Sequence, residues 1–251
     1  MNSIEFELLE TILYDPPAGF FLLDKHLSRI KKSSIYFSKN YGFVKTIATP
    51  KFNNLIETKL YQCVENLGKN VKQRVRLTIN KDGIPTVSSS ILQSLPSSSE
   101  PLQIVLDTKF TPSDNIFLYH KTTNRKIYYD ARRRAHLDLI PGSNSEDGIF
   151  DVLMYNERNE ITECSIANIA VEFLDNNGKS FWKTPKIECG LLSGVMRSYL
   201  IESGDIIPGV ITIEELKTAQ QEGRKVNCFN SVRKEYQVAL VDRYYKLQHD
   251  Q

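Results

Sequence analysis

The chain has 251 residues, of which 41% are hydrophobic and 25% are charged, and this is the composition of an ordinary globular protein. Its 32 basic and 30 acidic residues leave a net charge of +2, too small for general attraction to nucleic acid or to an anionic membrane. The first residues carry acids where a signal peptide needs a basic and then an apolar segment, and no later apolar run is long enough to span a bilayer. We therefore expect a soluble, cytoplasmic protein that binds neither nucleic acid nor membranes.

The cysteines are widely scattered and form no CxxC pair, and no histidine lies near them at the spacing of metal ligands. We expect buried free thiols and no metal site. The residues concerned are Cys63, Cys164, Cys189 and Cys228.

The first third of the chain predicts a compact unit of strands and helices. Alternating apolar residues, proline and glycine turns, and apolar residues at three- and four-residue steps indicate two hairpins and two helices. The predicted strands are 5–14, 20–23, 71–80 and 84–88; the helices begin after Asp24, taken as the N-cap, and at about Asn53. The serine- and proline-rich stretch 93–101 has little to bury and is typical of a linker. We expect a small N-terminal domain, 1–95, a linker and first strand, 96–105, and a larger C-terminal domain, 106–251.

The remaining chain predicts a second mixture of strands and helices, and hence an α+β protein of two domains. Strands are expected at 102–106, 151–155, 161–162, 167–173, 181–182 and 226–231, helices at about 130–135 and 213–221, and a loop at 141–145. A tight loop at 191–197 is expected to open a further helix that runs to about 202. The triple arginine Arg132, Arg133 and Arg134 is interpreted as a solvated helix face because the charge run is short.

Four local features suggest chemistry, although each alone is common. Lys121 stands in a His-Lys-Thr-Thr-Asn-Arg stretch before a predicted helix, and Glu163 lies between apolar residues. The turn 193–197, Ser-Gly-Val-Met-Arg, enters a helix and so presents backbone N–H groups to an anion. A second group of donors follows a buried strand at 230–232, Asn-Ser-Val.

In this order the features resemble a family, the class IV (fold type IV) pyridoxal-phosphate enzymes, which comprise branched-chain aminotransferases, D-amino acid aminotransferases and 4-amino-4-deoxychorismate lyases. The matching motifs span nearly the whole chain: 9–11 Leu-Glu-Thr, 23–29 Leu-Asp-Lys-His-Leu-Ser-Arg, 121–125 Lys-Thr-Thr-Asn-Arg, 162–168 Thr-Glu-Cys-Ser-Ile-Ala-Asn, 184–185 Thr-Pro, 190–197 Gly-Leu-Leu-Ser-Gly-Val-Met-Arg and 230–233 Asn-Ser-Val-Arg. The resemblance implies a small α/β sandwich domain, a larger pseudo-barrel α/β domain, a small-molecule substrate and a homodimer.

The resemblance also gives the residues roles. Lys121 would bind pyridoxal phosphate covalently through its amine and later transfer protons. Glu163 would contact the pyridine nitrogen of the cofactor and keep it protonated. The phosphate would be held by Arg29, Ser231 and the N–H groups of Val195 and Met196. Asn124 matches an asparagine of the family, with no partner assigned.

Within the family, several motifs look most like the lyase half of fused aminodeoxychorismate synthase/lyase chains. Thr11 stands where the lyases have a threonine, whose hydroxyl is suited to relay a proton during elimination. The expected reaction converts 4-amino-4-deoxychorismate into 4-aminobenzoate and pyruvate in folate biosynthesis. The candidates for binding the substrate carboxylates are Arg76, Arg125 and Arg233. Two alternatives stay open: an aminotransferase of the same family acting on D- or branched-chain amino acids, and a protein of this fold that binds without catalysis.

Overall fold

The computed structural model describes residues 5–68, 70–95, 100–139 and 148–242, and the chain divides into two compact units. Unit 1 contains the described part of residues 1–97 together with two short later segments, 120–124 and 231–233. Unit 2 contains the described part of 98–119, 125–230 and 234–251. Among the described residues, no helix combines the length and the apolar character that crossing a membrane requires.

Unit 1 consists of an antiparallel four-stranded sheet and two helices, so its predicted hairpins and helices are confirmed. The strands are β1 Leu8–Asp15, β2 Gly19–Phe20, β3 Gln73–Ile79 and β4 Pro85–Ile91, in the spatial order β2-β1-β3-β4. The helices are α1 Leu23–Asn40 and α2 Pro50–Glu65, with a 3-10 turn at Lys45–Ala48 between them. The core forms where apolar residues of β1 and β3, such as Ile12 and Val75, are buried together with Ile30 and Phe37 of α1.

Helix α1 begins two residues earlier than the sequence predicts. Its N-cap is Leu22 rather than Asp24, and Leu22 has a left-handed backbone with φ of 52°. The short strand β2 ends at Phe20, and the carbonyl of Leu22 accepts hydrogen bonds from the N–H groups of Lys25 and His26 at 3.1 and 3.2 Å. Asp24 lies in the first turn, where its negative charge favours the positive end of the helix dipole.

Unit 2 contains one mixed eight-stranded sheet with helices beside it. The strands are β5 Leu102–Leu106, β6 Ile149–Tyr155, β7 Ile161–Cys164, β8 Asn168–Leu174, β9 Ser180–Pro185, β10 Ile207–Gly209, β11 Val226–Asn230 and β12 Lys234–Leu240, in the spatial order β10-β9-β8-β11-β12-β5-β6-β7. The helices are α3 Ile116–Tyr119, α4 Lys126–Arg134, α5 Val195–Glu202 and α6 Ile213–Gln221, with a 3-10 turn at Ile187–Cys189. The sequence did not predict α3, β10 or β12, and the loop expected at 141–145 lies outside the described residues. The predicted α+β class is confirmed.

The interpretation of the triple arginine as a solvated face is wrong for its first member. Arg132 is only 1% exposed, and its Nη1 donates to Oδ1 of Asp151 at 3.1 Å and to Oγ of Ser165 at 3.0 Å. Arg133 is exposed, whereas Arg134 is half-buried and pairs with Asp107. One side of α4 faces the sheet, and Arg132 is buried there because strand β6 supplies a buried carboxylate.

Three of the four cysteines are buried and Cys63 is half-buried, and all four are free thiols. The sulfur atoms of Cys164 and Cys228 lie 3.5 Å apart on neighbouring buried segments of unit 2. This hydrogen bond to Cys228, together with burial, holds the pKa of the Cys164 thiol well above its usual value. Cys164 is therefore a protonated, unreactive core residue at neutral pH.

The buried pair of Arg132 and Asp151 generates a stability prediction. The substitution Arg132→Met leaves the Asp151 carboxylate buried without its cation, so we expect it to lower the free energy of unfolding by about 3–5 kcal/mol. The control is Arg133→Met at the next position, whose side chain is 60% exposed in a surface pair with Asp130, and we expect a loss below about 1 kcal/mol. Urea unfolding followed by tryptophan fluorescence measures both. Equal effects of the two substitutions would contradict the assigned burial.

Candidate functional site

In unit 1, segments that are far apart in the sequence form hydrogen bonds with the outer edge of strand β1. The edge opposite β3 bonds to the segment around Lys121: the N–H of Leu9 donates to the carbonyl of Lys121 at 3.0 Å, and the N–H of Thr123 donates to the carbonyl of Glu7 at 2.9 Å. The Oγ1 of Thr123 also accepts a hydrogen bond from the N–H of Glu7 at 2.9 Å. Lys121 is therefore fixed by its own backbone beside Leu9.

The same edge continues towards Ser231. Its Oγ lies 3.4 Å from the carbonyl oxygen of Thr11, a long hydrogen bond. Beyond it the N–H of Phe21 donates to the carbonyl of Leu13 at 2.9 Å, which closes the β1–β2 hairpin. Lys121 and Ser231 thus adjoin β1 at Leu9 and Thr11, two residues apart on one strand.

The strand alternation assigns these side chains to faces of the sheet. Thr122 bridges to Leu8, whereas Lys121 adjoins Leu9, so Lys121 is expected on the face that carries the side chain of Thr11. Thr11 lies directly opposite Arg76 of β3, and such cross-strand pairs place their side chains on one face. One face of this sheet is therefore expected to present an amine, a hydroxyl and a guanidinium.

The opposite face of β1 carries Glu10, which the sequence left without a role. Glu10 is 1% exposed and accepts two hydrogen bonds from Arg29, from Nε to Oε1 at 2.8 Å and from Nη2 to Oε2 at 2.5 Å. Nδ1 of His26 lies 2.6 Å from Oε2. The predicted cofactor residue Arg29 is therefore fixed by a buried carboxylate.

These contacts shift the titration of both buried partners. Burial alone would raise the pKa of Glu10, but the charges of Arg29 and His26 and their hydrogen bonds outweigh it and lower the pKa to about 2. Burial is the largest cause of the lowered pKa of His26, and the charges of Arg29 and Lys121 lower it further, while Glu10 acts in the opposite direction. The lowered pKa of Glu10 stabilises the fold fully above about pH 4.5, and this contribution is lost as the pH falls towards about 2.

Two further predicted residues of unit 1 have weaker contacts. The carbonyl of Asn124 lies 3.4 Å from Oγ1 of Thr122. Nη1 of Arg233 lies 3.4 Å from the carbonyl of Gln93. His120, next to the lysine, is held by Oγ of Ser33 at 2.9 Å from its Nδ1, and burial lowers its pKa. The segment 120–124 is thus fixed at both ends.

In unit 2, Glu163 of β7 is the centre of a second polar group. It is 4% exposed, and its Oε1 accepts from the hydroxyl of Tyr128 at 2.8 Å and from the N–H of Leu192 at 3.1 Å. Its Oε2 accepts from Nδ2 of Asn168 at 3.1 Å. Burial and the charge of Glu163 hold the pKa of Tyr128 well above its usual value, so the phenol stays a donor. Three neutral donors therefore bind this carboxylate, and its charge opposes the effect of burial on the pKa of Arg197.

Asn168 connects Glu163 to the turn before helix α5. Its Nδ2 also donates to the carbonyl of Leu192 at 2.9 Å, and a Cβ at position 194 would collide with its Oδ1. Gly194 is the N-cap of α5, so the backbone approaches Asn168 as closely as only glycine allows. Val195 and Met196, the predicted N–H donors, are the first two residues of this helix and have buried side chains.

Arg125, a predicted substrate residue, is also in unit 2 and has two contacts there. Its Nη2 donates to the carbonyl of Ser165 at 2.6 Å, and its guanidinium carbon lies 4.4 Å from the centre of the Tyr128 ring. These contacts support the tyrosine that binds Glu163. They also use part of the hydrogen-bonding capacity of Arg125.

Gly194 generates a prediction about the Glu163 group. The substitution Gly194→Ala displaces the side chain of Asn168 and breaks its buried bonds, so we expect the free energy of unfolding to fall by about 2 kcal/mol or more. The control is Gly209→Ala, where the added Cβ meets the flexible side chain of Lys183 at 2.8 Å, with an expected loss below about 1 kcal/mol. Chemical denaturation of the two variants measures the difference, and a wild-type midpoint for Gly194→Ala would contradict the close approach.

Comparison with known proteins assigns the family. The model of the class IV aminotransferases matches residues 7–240. A Schizosaccharomyces pombe protein, provisionally named an aminodeoxychorismate lyase, is 34% identical over 94% of this chain and 90% of its own length. The aminodeoxychorismate lyase of Saccharomyces cerevisiae is 28% identical over 92% of this chain and 70% of its own length.

A solved structure supports the same assignment. A Mesorhizobium loti protein, provisionally named an amino-acid aminotransferase, superposes with a TM-score of 0.77 at 28% identity and covers 94% of this chain and all of its own. The predicted family resemblance and fold type are confirmed by these matches. The chain belongs to the class IV aminotransferase family.

Proposed function

We propose that this chain is a pyridoxal-phosphate-dependent lyase that converts 4-amino-4-deoxychorismate into 4-aminobenzoate and pyruvate. The observation that carries the proposal is its likeness, over 94% and 92% of its length, to the two yeast proteins named for this activity. From the family we also propose a cytoplasmic homodimer that binds a small-molecule substrate.

The donor groups of the chain fit this cofactor. When bound, pyridoxal phosphate supplies an aldehyde for a lysine amine and a pyridine ring that accepts electrons from the reacting carbon. Lys121 is the lysine of the family motif, and its backbone is bonded along strand β1. We assign its amine two functions: it holds the cofactor and it moves the proton at the substrate carbon that bears the amine.

Glu163 is assigned to the ring nitrogen. A carboxylate beside that nitrogen favours its protonated form, which makes the ring a better electron acceptor. The donors to Glu163 are a phenol, an amide side chain and a backbone N–H, all of them neutral. These three bonds come from neutral donors, and we propose that the carboxylate also pairs with the protonated ring nitrogen.

The phosphate is assigned to Arg29, Ser231 and the first N–H groups of helix α5, at Val195 and Met196. This set combines one fixed positive charge with neutral donors, as phosphate sites commonly do. Asn124 remains proposed as a cofactor residue on its position in the motif alone.

Thr11 is assigned as the proton relay of the elimination. Its hydroxyl is expected on the same sheet face as Lys121, from the bonding of Leu9 to Lys121. We propose that it passes to the leaving enolpyruvyl oxygen the proton that the lysine takes from the ring carbon.

Among the three candidate arginines for the substrate carboxylates, the geometry favours Arg76. It lies across from Thr11 in the β1–β3 register, so a carboxylate bound there would be near the relay. The guanidinium of Arg125 contacts Ser165 and Tyr128, and that of Arg233 contacts Gln93. Those two remain secondary candidates.

The second candidate function is amino-group transfer within the same family. It is favoured by the M. loti structure, whose provisional name is that of an amino-acid aminotransferase. Transfer requires a 2-oxo acid acceptor, whereas the lyase reaction needs none. A protein of this fold that binds cofactor or a partner without catalysis is the third possibility, and it predicts no turnover in either reaction.

The proposed covalent role of Lys121 gives a spectroscopic prediction. We expect purified wild-type protein with added pyridoxal phosphate to show a visible absorbance band that borohydride reduction fixes to Lys121, and Lys121→Ala to lack it. The control Lys126→Ala removes a lysine that is 78% exposed and paired with Asp130, so the band should persist. A colourless wild-type protein would exclude both enzymatic functions.

The proposed reaction predicts release of pyruvate from 4-amino-4-deoxychorismate without any added 2-oxo acid, measured with lactate dehydrogenase. Thr11→Ala removes the relay, so we expect the rate to fall about 10²-fold. Thr11→Ser keeps the hydroxyl and should retain most of the wild-type rate. Turnover that depends on a 2-oxo acid would contradict the lyase assignment. An unchanged rate in Thr11→Ala would exclude only the relay role of Thr11 and not the lyase assignment.

A further inference from the structure

The proposed function leaves two fully buried ionisable side chains of unit 1 without a task. Glu10 is 1% exposed and His26 is 0% exposed, and most of the other buried side chains of β1 and α1 are apolar. Burying a carboxylate and an imidazole is unfavourable unless each is bonded in place. Each of these two side chains must therefore be stabilised by its bonding partners.

Glu10 binds Arg29 in the most restrictive geometry available to this pair. Two parallel hydrogen bonds join the edge formed by Nε and Nη2 to the two carboxylate oxygens. A guanidinium is planar and its donors form a rigid fork, so two such bonds fix both its position and its plane. The side chain of Arg29 is 12% exposed, so the guanidinium remains within reach of a ligand.

His26 fixes Glu10 in turn. Its Nδ1 lies 2.6 Å from Oε2, and the carboxylate is the acceptor, so Nδ1 carries the proton. Nε2 then has only a lone pair, and this buried atom has no hydrogen-bond partner. An unmet buried acceptor destabilises a fold, and an apolar residue of similar size would avoid that penalty. What a histidine adds at this position is the single bond from Nδ1 to Glu10.

We propose that Glu10 and His26 are positioning residues that orient the guanidinium of Arg29 for the phosphate of the cofactor. This inference rests on the proposed function. Glu10 also balances most of the positive charge of Arg29, so the affinity for phosphate depends on the orientation of the guanidinium rather than on excess charge. Glu10 and His26 thus influence cofactor binding only through Arg29, and only at the phosphate group.

The test compares pyridoxal phosphate with pyridoxal, which lacks the phosphate but keeps the aldehyde that reacts with Lys121. Both ligands are titrated into cofactor-free protein, and the dissociation constants are measured from the visible absorbance band. For Glu10→Gln we expect the constant for pyridoxal phosphate to rise about tenfold or more, and that for pyridoxal to change less than about twofold. Arg29→Gln should show the same pattern, and the double variant should lose no more than Arg29→Gln alone.

A matched pair at position 26 separates positioning from folding. His26→Asn places an amide N–H close to the position of Nδ1 and should keep near-wild-type affinity for pyridoxal phosphate, whereas His26→Leu loses the donor and should weaken it severalfold. If Glu10→Gln fails to fold, this pair makes the same comparison. The control is Asp107→Asn in unit 2, because Asp107 holds Arg134 by the same two-bond geometry, at 2.8 and 2.6 Å. It should leave the affinity for both ligands unchanged.

Three results would overturn the inference while the proposed function stands. They are an unchanged constant for pyridoxal phosphate in Glu10→Gln, tighter binding caused by the unbalanced charge of Arg29, and equal losses for the two ligands. A wild-type protein that binds neither ligand would instead overturn the proposed function, and the inference with it.

Discussion

The segment that carries Lys121 is held in place by backbone hydrogen bonds along the outer edge of strand β1. Through this edge, residues 7–13 bond in turn to the segment around Lys121, to Ser231 and to the return of the first hairpin. Backbone bonds position the Lys121 segment without using its side chain, whereas Ser231 bonds to the Thr11 carbonyl through its hydroxyl. A strand edge that is normally a liability for aggregation is used here to assemble a site.

Two buried glutamates differ in the groups that donate hydrogen bonds to them. Glu10 is paired with a guanidinium and an imidazole, and its charge is largely balanced where it stands. Glu163 accepts hydrogen bonds from a phenol, an amide side chain and a backbone N–H. The same side chain thus binds a cation directly in unit 1 and accepts hydrogen bonds from neutral donors in unit 2.

The sequence predicts the regular elements better than the polar networks. Periodic segments such as helix α6 at Ile213–Gln221 are found because their apolar spacing is local, and this helix also has a complete capping box at Thr212. The motif order identifies the family and hence Lys121 and Glu163. The burial of Arg132 and the pairing of Glu10 could not be found, because each depends on a partner brought close by the fold. Strand β12 was also missed, although it pairs antiparallel with the neighbouring β11 as well as in parallel with the distant β5.

The contact between Ser231 and Thr11 joins residues 220 positions apart, and the bond of Thr123 to Glu7 joins residues 116 apart. Contacts of such large sequence separation form late, because a long loop must close before they contribute. During synthesis on the ribosome, the first 97 residues can acquire their sheet and helices while this edge still lacks its partners. Unit 1 is therefore the first part of the chain to begin folding and among the last to be completed.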